Sequence, residues 1–500
     1  MTMTETVLEK MHVPQEAERQ KQSVGEATHS GQQRARIVAI VPRGEVLRNF
    51  VYTGAFDEVA KMAELSLLSV TPNRDLEEML KHRYGNVFQL PDVPEKWLVN
   101  MQREILDMAH GRWLWSEASR ERWRLRSVEA ETIGSRIKLR AKRAACRPFA
   151  NRKGLRLLSK IERASSRRLS TTNEYIELFR KLQPSLVFNG SHVHSRVAVQ
   201  AVQAAQWLGI KTATFIFSWD NLTSQGRIML PYDYYLVWNE AIREQLLEMY
   251  DWLQPEQVFV TGTPQFDFHF RPEFYWTREE FCARVGADPQ RPFVLYSTGM
   301  ANHMPGEPQI VEGIADMLKE MTDLGSPQLL VRVYPKDLTG RFEELKNRRT
   351  DILFPVVPWE AAWLTPRYED AYLLTNTLRH AALGINVAST VSLELCMFDK
   401  PVINVGYNPP EVSADTLCYA RYYEFDHYRP VVDSGAVMLA RSETDMRALL
   451  RQALINPEAD TKQRQSLIEK MFGSTLDGRA STRAAERLLK LATKGRRLYV

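Results

Sequence analysis

The sequence predicts an α/β protein with two Rossmann-like, doubly wound parallel-sheet domains that face a cleft. Short apolar runs rich in β-branched residues alternate with longer amphipathic stretches, as in parallel strands that helices cover on both faces. The alternation occurs twice and is interrupted by a proline-containing stretch over residues 271–292. The chain has 500 residues, 44% of them hydrophobic, so it is long enough to bury two cores.

The N-terminal domain is predicted over residues 35–272, after a polar, Gln- and Glu-rich tail over residues 1–34 that we expect to be disordered. Its apolar runs have the length of strands and are separated by helical patterns. The predicted strands are RIVAIV (36–41), LSLLSV (65–70), SLVFN (185–189), TATFIF (212–217), YYLVW (234–238) and QVFVT (257–261).

The C-terminal domain is predicted over residues 273–465 and is followed by basic helices over residues 466–500. Its strands are again continuously apolar, so we expect a second parallel sheet. In sheets of this kind ligands bind beyond the carboxyl ends of the strands. The predicted strands are FVLYS (293–297), LLVRV (329–333), LGINV (383–387), PVINV (401–405) and AVMLA (436–440).

Composition excludes several classes of protein. The net charge is +5, from 66 Lys and Arg against 61 Asp and Glu, which is too small to indicate nucleic acid by itself. The N-terminus lacks the basic start and apolar run of a signal peptide, and no stretch reaches the roughly 18 apolar residues of a membrane span. We therefore expect a cytoplasmic protein. Without a CxxC pair, four cysteines support neither a disulfide scaffold nor a zinc ribbon: Cys146, Cys282, Cys396 and Cys418.

One segment, residues 120–168, breaks the charge balance and is called the basic segment below. It holds 17 Lys and Arg against four Glu. One interpretation is a solvated helical insertion, over about residues 112–170, whose tryptophans pack on the core. The other is a landing surface for anionic lipid at the inner face of the membrane, where each nearby cation contributes about 1 kcal/mol. The landing surface is assigned to Arg136, Lys138, Arg140, Lys142 and Arg143.

The stretch over residues 381–405 carries the most informative motif. A strand ends in the small polar turn Ala388-Ser389-Thr390, and a helix with Ser392 and Glu394 follows. Backbone N–H groups and hydroxyls at a helix N-terminus suit a phosphate, and a carboxylate one turn later suits ribose hydroxyls. A capped helix with a first-turn glutamate explains the same residues without any ligand.

This strand, the S-T-x-S-x-E helix and the K-P-V-I strand resemble the donor-binding half of GT-B-fold glycosyltransferases. They are also similar to UDP-N-acetylglucosamine 2-epimerases and to polysaccharide and polyol-phosphate transferases of that fold. In element order the resemblance covers most of residues 36–470. It implies a nucleotide-sugar site formed by Thr298, Gly299, Arg332, Lys336, Ser389, Thr390, Ser392 and Glu394.

Two further strand ends fit that site. Thr298 and Gly299 follow FVLYS, and a glycine there lets the backbone approach a pyrophosphate. Arg332 and Lys336 lie in LLVRVYPKD, which resembles the Arg-x-His-Pro element of the transferases, with Tyr334 in place of the histidine. Both cations are able to neutralise a diphosphate leaving group, although cations after a strand are often only solvated.

The N-terminal domain is expected to supply the acceptor site and the catalytic base. Asp220 follows the strand TATFIF, where it acts either as the base or as the cap of the next helix. Glu45 follows the first strand and is a second candidate. His194, with His192 in the sequence S-H-V-H, is a rival base or a structural hydrogen-bonder.

No GxGxxG follows the first strand and no GxxxxGK[ST] occurs, which argues against a nicotinamide dehydrogenase and a P-loop triphosphatase. A DxD element is also missing, so we expect no metal and no cofactor besides the nucleotide sugar as co-substrate.

The leading prediction is a transferase that moves a sugar to a surface-polysaccharide or glycolipid acceptor. Retaining members often have Glu-x7-Glu; Asn386 lies eight residues before Glu394, which favours inversion.

Two alternatives stay open. A UDP-N-acetylglucosamine 2-epimerase needs no acceptor and would gain nothing from a lipid-facing segment. A nucleic-acid-binding protein would use the basic segment, but without a recognised base-reading module its binding would be unspecific, so no specific nucleic-acid partner is expected.

Overall fold

The computed structural model describes residues 34–71, 73–90, 94–169, 172–193, 195–360, 362, 365–414 and 417–493. The predicted tail over residues 1–34 therefore lies, apart from Arg34, outside the described residues. The same holds for the last seven residues of the basic C-terminal helices.

The N-terminal domain contains a seven-stranded, fully parallel sheet. Its strands are β1 (Arg36–Val41), β2 (Glu64–Ser69), β3 (Asn86–Gln89), β4 (Leu186–Asn189), β5 (Lys211–Phe215), β6 (Tyr234–Val237) and β7 (Val258–Val260). They are ordered β3-β2-β1-β4-β5-β6-β7. The register places Ile37 of β1 between Leu65 and Leu186. All six predicted strands are confirmed. The sequence did not predict β3, because this strand has only four residues, NVFQ, and none of them is fully buried.

The C-terminal domain contains a second parallel sheet of six strands. They are β8 (Phe293–Ser297), β9 (Gln328–Arg332), β10 (Ile352–Leu353), β13 (Leu383–Asn386), β14 (Val402–Val405) and β15 (Met438–Ala440). Two further short strands, β11 (Trp359–Glu360) and β12 (Thr365–Pro366), form a separate antiparallel pair. The order of the six is β10-β9-β8-β13-β14-β15. Central strands β8 and β9 are buried along their whole length, which explains their unbroken apolar sequences.

Ten α-helices belong to the described part of the N-terminal half. They are α1 (Ala55–Met62), α2 (Arg74–Tyr84), α3 (Trp97–Leu114), α4 (Glu117–Val128), α5 (Ile133–Cys146), α6 (Arg152–Leu169), α7 (Asn173–Leu182), α8 (Ser195–Trp207), α9 (Asn221–Ser224) and α10 (Glu240–Met249).

Nine further α-helices belong to the described part of the C-terminal half. They are α11 (Arg278–Val285), α12 (Glu307–Lys319), α13 (Glu343–Arg348), α14 (Glu369–His380), α15 (Val391–Met397), α16 (Arg429–Asp433), α17 (Glu443–Ile455), α18 (Thr461–Phe472) and α19 (Ala480–Thr493). The last of them returns to the segment after β7, where the Asp267 carboxylate accepts hydrogen bonds from the backbone N–H groups of Ala480 and Ser481.

Helices α3 to α6 form a helical insertion between β3 and α7, starting at Trp97 rather than near the predicted residue 112. They enclose a small core of their own, against which Trp113 and Trp123 pack. Amphipathic sequence explains this arrangement: in α6, Leu155 and Leu158 lie on the inner face while cations occupy the outer one. The basic segment is thus folded as helices with a buried inner face.

No helix among the described residues is both long enough and apolar enough to span a bilayer.

Candidate functional site

A cavity of about 620 Å³ lies between the two domains, beyond the carboxyl ends of their strands. Its lining includes residues that end or follow strands β1, β5, β8, β9 and β13, which is where the alternation of strands and helices predicted a ligand site. Eight of the predicted site residues line it: Glu45, Asp220, Thr298, Arg332, Lys336, Ser389, Thr390 and Glu394.

The domains approach each other closely at one edge of this cavity. Gly44, in the turn after β1, lies so near Thr365 of β12 that a Cβ on the glycine would fall 2.4 Å from the Thr365 Cα. Only glycine fits there without moving the two domains apart. The close approach brings the neighbouring residue, Glu45, to the cavity wall.

Arg332 provides a positive charge on the C-terminal wall. It is only 7% exposed, and its Nη2 donates a hydrogen bond of 2.7 Å to Asp370 Oδ1. Asp370 Oδ2 in turn accepts from Trp359 Nε1 at 2.6 Å. Arg332 Nη1 is buried without a hydrogen-bond partner in the described part of the chain. The guanidinium is therefore fixed by Asp370, with one nitrogen left for a ligand.

Lys336 forms an ion pair that joins the two walls. Its Nζ lies 2.5 Å from Glu45 Oε1, and Glu45 is 2% exposed. Because both charges are largely removed from water, the pair is costly to separate unless a ligand replaces one member. An anion on the C-terminal wall would compete with Glu45 for the lysine.

Glu394 is supported by a residue that sequence reasoning missed. Its Oε2 lies 3.0 Å from His269 Nε2, and the other nitrogen of His269, Nδ1, lies 3.0 Å from Thr375 Oγ1. The two partners are 125 residues apart in the chain. His269 lies in the connection between the domains, in a stretch without a motif, so nothing in the sequence pairs it with Glu394.

The turn before α15 differs from the expectation of free backbone N–H groups. The N–H of Ser389 donates to Asn386 Oδ1, and that of Val391 donates to Ser389 Oγ. Ala388 has a φ of 40°, a left-handed conformation that is unusual for alanine and sharpens the turn. Ser389 and Thr390 line the cavity, but these two amide groups already have partners in the protein.

Two predicted residues do not line the cavity. Ser392 is fully buried behind the turn, where its hydroxyl donates to Asn386 Oδ1 and accepts from the hydroxyl of Tyr428. The N–H of Gly299 donates to both carboxylate oxygens of Glu307 rather than facing a ligand. Burial raises the pKa of Glu307 to about 7. Ser392 and Gly299 therefore shape the wall from behind.

Asp220 lies on the N-terminal wall. Its backbone carbonyl accepts the first hydrogen bonds of α9, but its carboxylate does not cap the helix: Oδ2 accepts from Ser224 Oγ at 2.6 Å. The neighbouring Trp219 donates from Nε1 to Thr390 Oγ1 at 3.2 Å. This bond between the walls fixes the loop that carries the carboxylate.

The structure adds two histidines to the lining of the cavity, His303 and His427. His427, from the C-terminal domain, lines the cavity with Nδ1 3.1 Å from Thr223 Oγ1 and its ring against that of Trp219. Burial lowers the pKa of His427, which keeps it neutral near pH 7. No motif surrounds it in the sequence.

The candidate His192 does not line this cavity. His192 is buried, with Nδ1 3.3 Å from the carbonyl oxygen of Phe215, and desolvation lowers its pKa to about 4. His194 lies outside the described residues. Among the described residues, no group of three or more His, Cys, Asp or Glu is arranged to hold a metal ion.

The arrangement has a chemical consequence. One wall offers Arg332 and Lys336 to an anion, while the other offers the carboxylate of Asp220. A cavity with these opposed charges is able to stabilise a departing anionic group and to accept a proton from an attacking hydroxyl.

No family model and no curated protein matches the sequence. Solved structures do match: a UDP-N-acetylglucosamine 2-epimerase shares 13% identity at a TM-score of 0.51, over 92% of this chain and 96% of that one. The UDP-GlcNAc 2-epimerase from Neisseria meningitidis, bound to UDP-GlcNAc, shares 12% identity at a TM-score of 0.51, over 91% and 100%. A putative UDP-N-acetylglucosamine 2-epimerase from Listeria monocytogenes shares 12% identity at a TM-score of 0.51, over 90% and 94%. The predicted GT-B-like fold of two Rossmann-like domains is thereby confirmed.

Proposed function

We propose that the protein is a glycosyltransferase that moves a sugar from a nucleotide sugar to a surface-polysaccharide or glycolipid acceptor. The observation that carries the proposal is the opposition of Asp220 to Arg332 and Lys336 within one cavity. Glycosyl transfer needs both functions at once, because a diphosphate gains negative charge as it leaves while an acceptor hydroxyl loses its proton.

The donor occupies the C-terminal wall in this proposal. Arg332 Nη1, which lacks a protein partner among the described residues, donates to the diphosphate. Glu394 accepts from the ribose hydroxyls while His269 holds its other oxygen. A protein of the same fold from Neisseria meningitidis binds UDP-GlcNAc, which supports a uridine nucleotide as the first to test.

The acceptor occupies the N-terminal wall. Asp220 takes the proton of the acceptor hydroxyl as its oxygen forms a bond to the anomeric carbon, and the bond from that carbon to the diphosphate breaks. Ser224 Oγ, at 2.6 Å from Asp220 Oδ2, orients the carboxylate. Lys336 and Arg332 stabilise the leaving diphosphate, so that protonation of the leaving group is not required.

Inversion of configuration is the stereochemical part of the proposal. Asn386 lies where retaining relatives often have the first glutamate of Glu-x7-Glu. Its Oδ1 accepts from the N–H of Ser389, the hydroxyl of Ser392 and Nδ2 of Asn404. A side-chain oxygen with three donors holds the turn and has no role at the sugar.

Attachment to an anionic membrane is a further part of the proposal. On α5, Ile133 and Ile137 are 77% and 60% exposed and lie among the exposed cations Arg136, Lys138 and Arg140. Exposed apolar and basic residues together are typical of helices that bind the lipid interface. The other two cations of the predicted landing surface are engaged elsewhere: Lys142 pairs with Glu104, and Arg143 donates to the carbonyl of Trp123.

Vesicle binding tests this part. Neutralising Arg136, Lys138 and Arg140 with glutamine should remove about 3 kcal/mol of attraction, at about 1 kcal/mol for each cation. The expected result is sedimentation of the wild type with anionic but not neutral vesicles, reversed by salt because the Debye length falls to about 3 Å at 1 M. A matched control replaces three exposed lysines of the C-terminal half with glutamine: Lys319, Lys462 and Lys470. Equal binding by both variants would contradict attachment through α5.

A second candidate, UDP-N-acetylglucosamine 2-epimerase, is favoured by the likeness in fold. Product analysis separates the two functions. Release of the nucleoside diphosphate that depends on an added glycan or lipid-linked acceptor supports the transferase. Conversion of UDP-GlcNAc to its 2-epimer without an acceptor supports the epimerase and would overturn the transferase proposal.

A further inference from the structure

A second, smaller cavity of about 210 Å³ lies against the helical insertion. It is below the roughly 300 Å³ at which pockets for drug-sized ligands begin, so it suits a single small group. Arg122 and Gln225 line both this cavity and the larger one, and Gln225 directly follows Ser224, the partner of Asp220. The smaller cavity is therefore adjacent to the N-terminal wall of the larger one.

Arginines dominate the lining of the second cavity. Four contribute, namely Arg103, Arg122, Arg196 and Arg227, against one carboxylate, Asp107. Such a concentration of guanidinium groups in a concave site attracts anions.

Arg227 differs from the other buried arginines of the described chain. Four arginines are buried in that part: Arg103, Arg227, Arg332 and Arg464. Three of them lie within salt-bridge distance of a carboxylate. Arg227 is 8% exposed and has no such partner among the described residues. A buried charge without a counterion is unfavourable, and a bound anion would correct it.

The surroundings of Arg227 give it no ion pair among the described residues, and Asp251, which acts on it only at longer range, pairs with Arg156. Its Nε donates to Ser159 Oγ at 3.2 Å, and its Cζ lies 4.9 Å and 5.1 Å from the ring centroids of Tyr250 and Trp252. Aromatic rings favour a cation but carry no charge. Burial lowers the pKa of Arg227, as expected of a cation that lacks an ionic partner.

Asp107, the carboxylate in the lining, is already neutralised. Its Oδ2 accepts from Arg122 at 3.0 Å and from Arg126 at 2.7 Å. It also lies against Gly226, where a Cβ would fall 1.9 Å from Oδ1 and would displace the carboxylate from this position. The charge of Asp107 is thus neutralised by Arg122 and Arg126, and Asp107 does not compete with an anion for Arg227.

We infer that the second cavity binds a phosphate group carried by the acceptor, with Arg227 as its main contact and Arg196 at its mouth. The role of this cavity in holding an acceptor depends on the proposed transferase function, whereas the phosphate site depends on the arginines alone. A guanidinium fork matches two phosphate oxygens at once. The phosphate would anchor the acceptor, and a hydroxyl of the acceptor would reach Asp220 past Gln225, which lines both cavities.

Inorganic phosphate is the probe for the site, titrated calorimetrically against chloride at equal ionic strength. We expect Arg227→Gln to weaken phosphate binding about 10- to 100-fold, the range for a lost charge-assisted hydrogen bond. Arg196→Gln changes an exposed residue and should weaken it less. Arg348→Gln, which changes an exposed arginine outside both cavities, is the matched control and should leave phosphate binding unchanged.

The outcomes separate this inference from the proposed function. Unchanged phosphate affinity in folded Arg227→Gln, or no phosphate binding by the wild type, would overturn the phosphate site. Should Arg227→Gln fail to fold, loss of phosphate affinity in Arg196→Gln decides in its place, and unchanged affinity there overturns the site. Nucleotide binding, measured with UDP on the same proteins, reports on the larger cavity independently.

Competition identifies the source of the phosphate. Farnesyl phosphate stands for a lipid-linked acceptor and glucose 1-phosphate for a soluble one. Displacement of inorganic phosphate by either compound supports the site and names the source, and displacement by both supports a site selective for the phosphate alone. If neither displaces inorganic phosphate, the acceptor role of the cavity is overturned.

Discussion

The two walls of the interdomain cavity are built differently. On the C-terminal wall, the ligand-facing groups are fixed by buried polar partners: Arg332 by Asp370 and Glu394 by His269. On the N-terminal wall, the Asp220 carboxylate has no cation as a partner among the described residues and accepts a hydrogen bond from the hydroxyl of Ser224. A rigid, preorganised wall suits binding, whereas in the proposed mechanism the carboxylate on the other wall accepts the proton of the acceptor hydroxyl. The difference is consistent with the proposed function, in which the C-terminal wall binds the donor and the N-terminal wall accepts the proton.

Replacing the carboxylate tests the N-terminal wall and has the largest expected effect. Asp220→Asn is nearly isosteric and removes the base, so turnover should fall about 100-fold or more while nucleotide affinity stays unchanged. Steady-state rates and calorimetric nucleotide titration measure the two quantities separately. Asp433→Asn, at an exposed position of the C-terminal domain, is the matched control.

Near-normal turnover in Asp220→Asn would contradict the assignment of proton transfer to Asp220 on the N-terminal wall. Glu45 and His427, which line the same cavity, would then become the candidates for the base.

Two substitutions of Glu394 test the C-terminal wall. Glu394→Ala should weaken nucleotide binding by about 1 to 3 kcal/mol and should also destabilise the fold, because His269 Nε2 loses its partner. Glu394→Gln keeps an oxygen near the histidine and should lose affinity with less loss of stability. Calorimetry and thermal unfolding report the two effects. Full nucleotide affinity in folded Glu394→Ala would remove Glu394 from the site.

The pH dependence of stability tests how the N-terminal wall is supported. His192 holds the end of β5, just before the Asp220 loop, and its pKa is lowered to about 4 by burial. Because the folded state disfavours the proton, the stability present above about pH 6.5 is lost as pH falls towards 4, at about 1.4 kcal/mol per unit. At pH 5 the loss is about 2 kcal/mol. The free energy of unfolding, measured by denaturant at several pH values, should fall less steeply between pH 6.5 and 4 in His192→Gln than in the wild type. An equally steep fall in both proteins would contradict this role of His192.

The sequence predicted the two sheets because their strands are continuously apolar, and it predicted the C-terminal wall because strand, turn and helix are adjacent in the chain. It missed the support of that wall, since His269 and Glu394 are 125 residues apart and no periodicity links them. The sequence also predicted that Ser392 and Gly299 contact the ligand, whereas neither residue lines the cavity. Their orientation depends on backbone geometry, such as the φ of 40° at Ala388, that residue types do not reveal.

The central claim is that the cavity binds a nucleotide through the preorganised cations of the C-terminal wall. Calorimetric titration of UDP into the wild type, Arg332→Gln and the exposed-site control Arg348→Gln tests it directly. The account predicts binding by the wild type and the control, and about 10- to 100-fold weaker binding by Arg332→Gln, because the diphosphate loses its buried donor. Equal UDP affinity in all three folded proteins would contradict it.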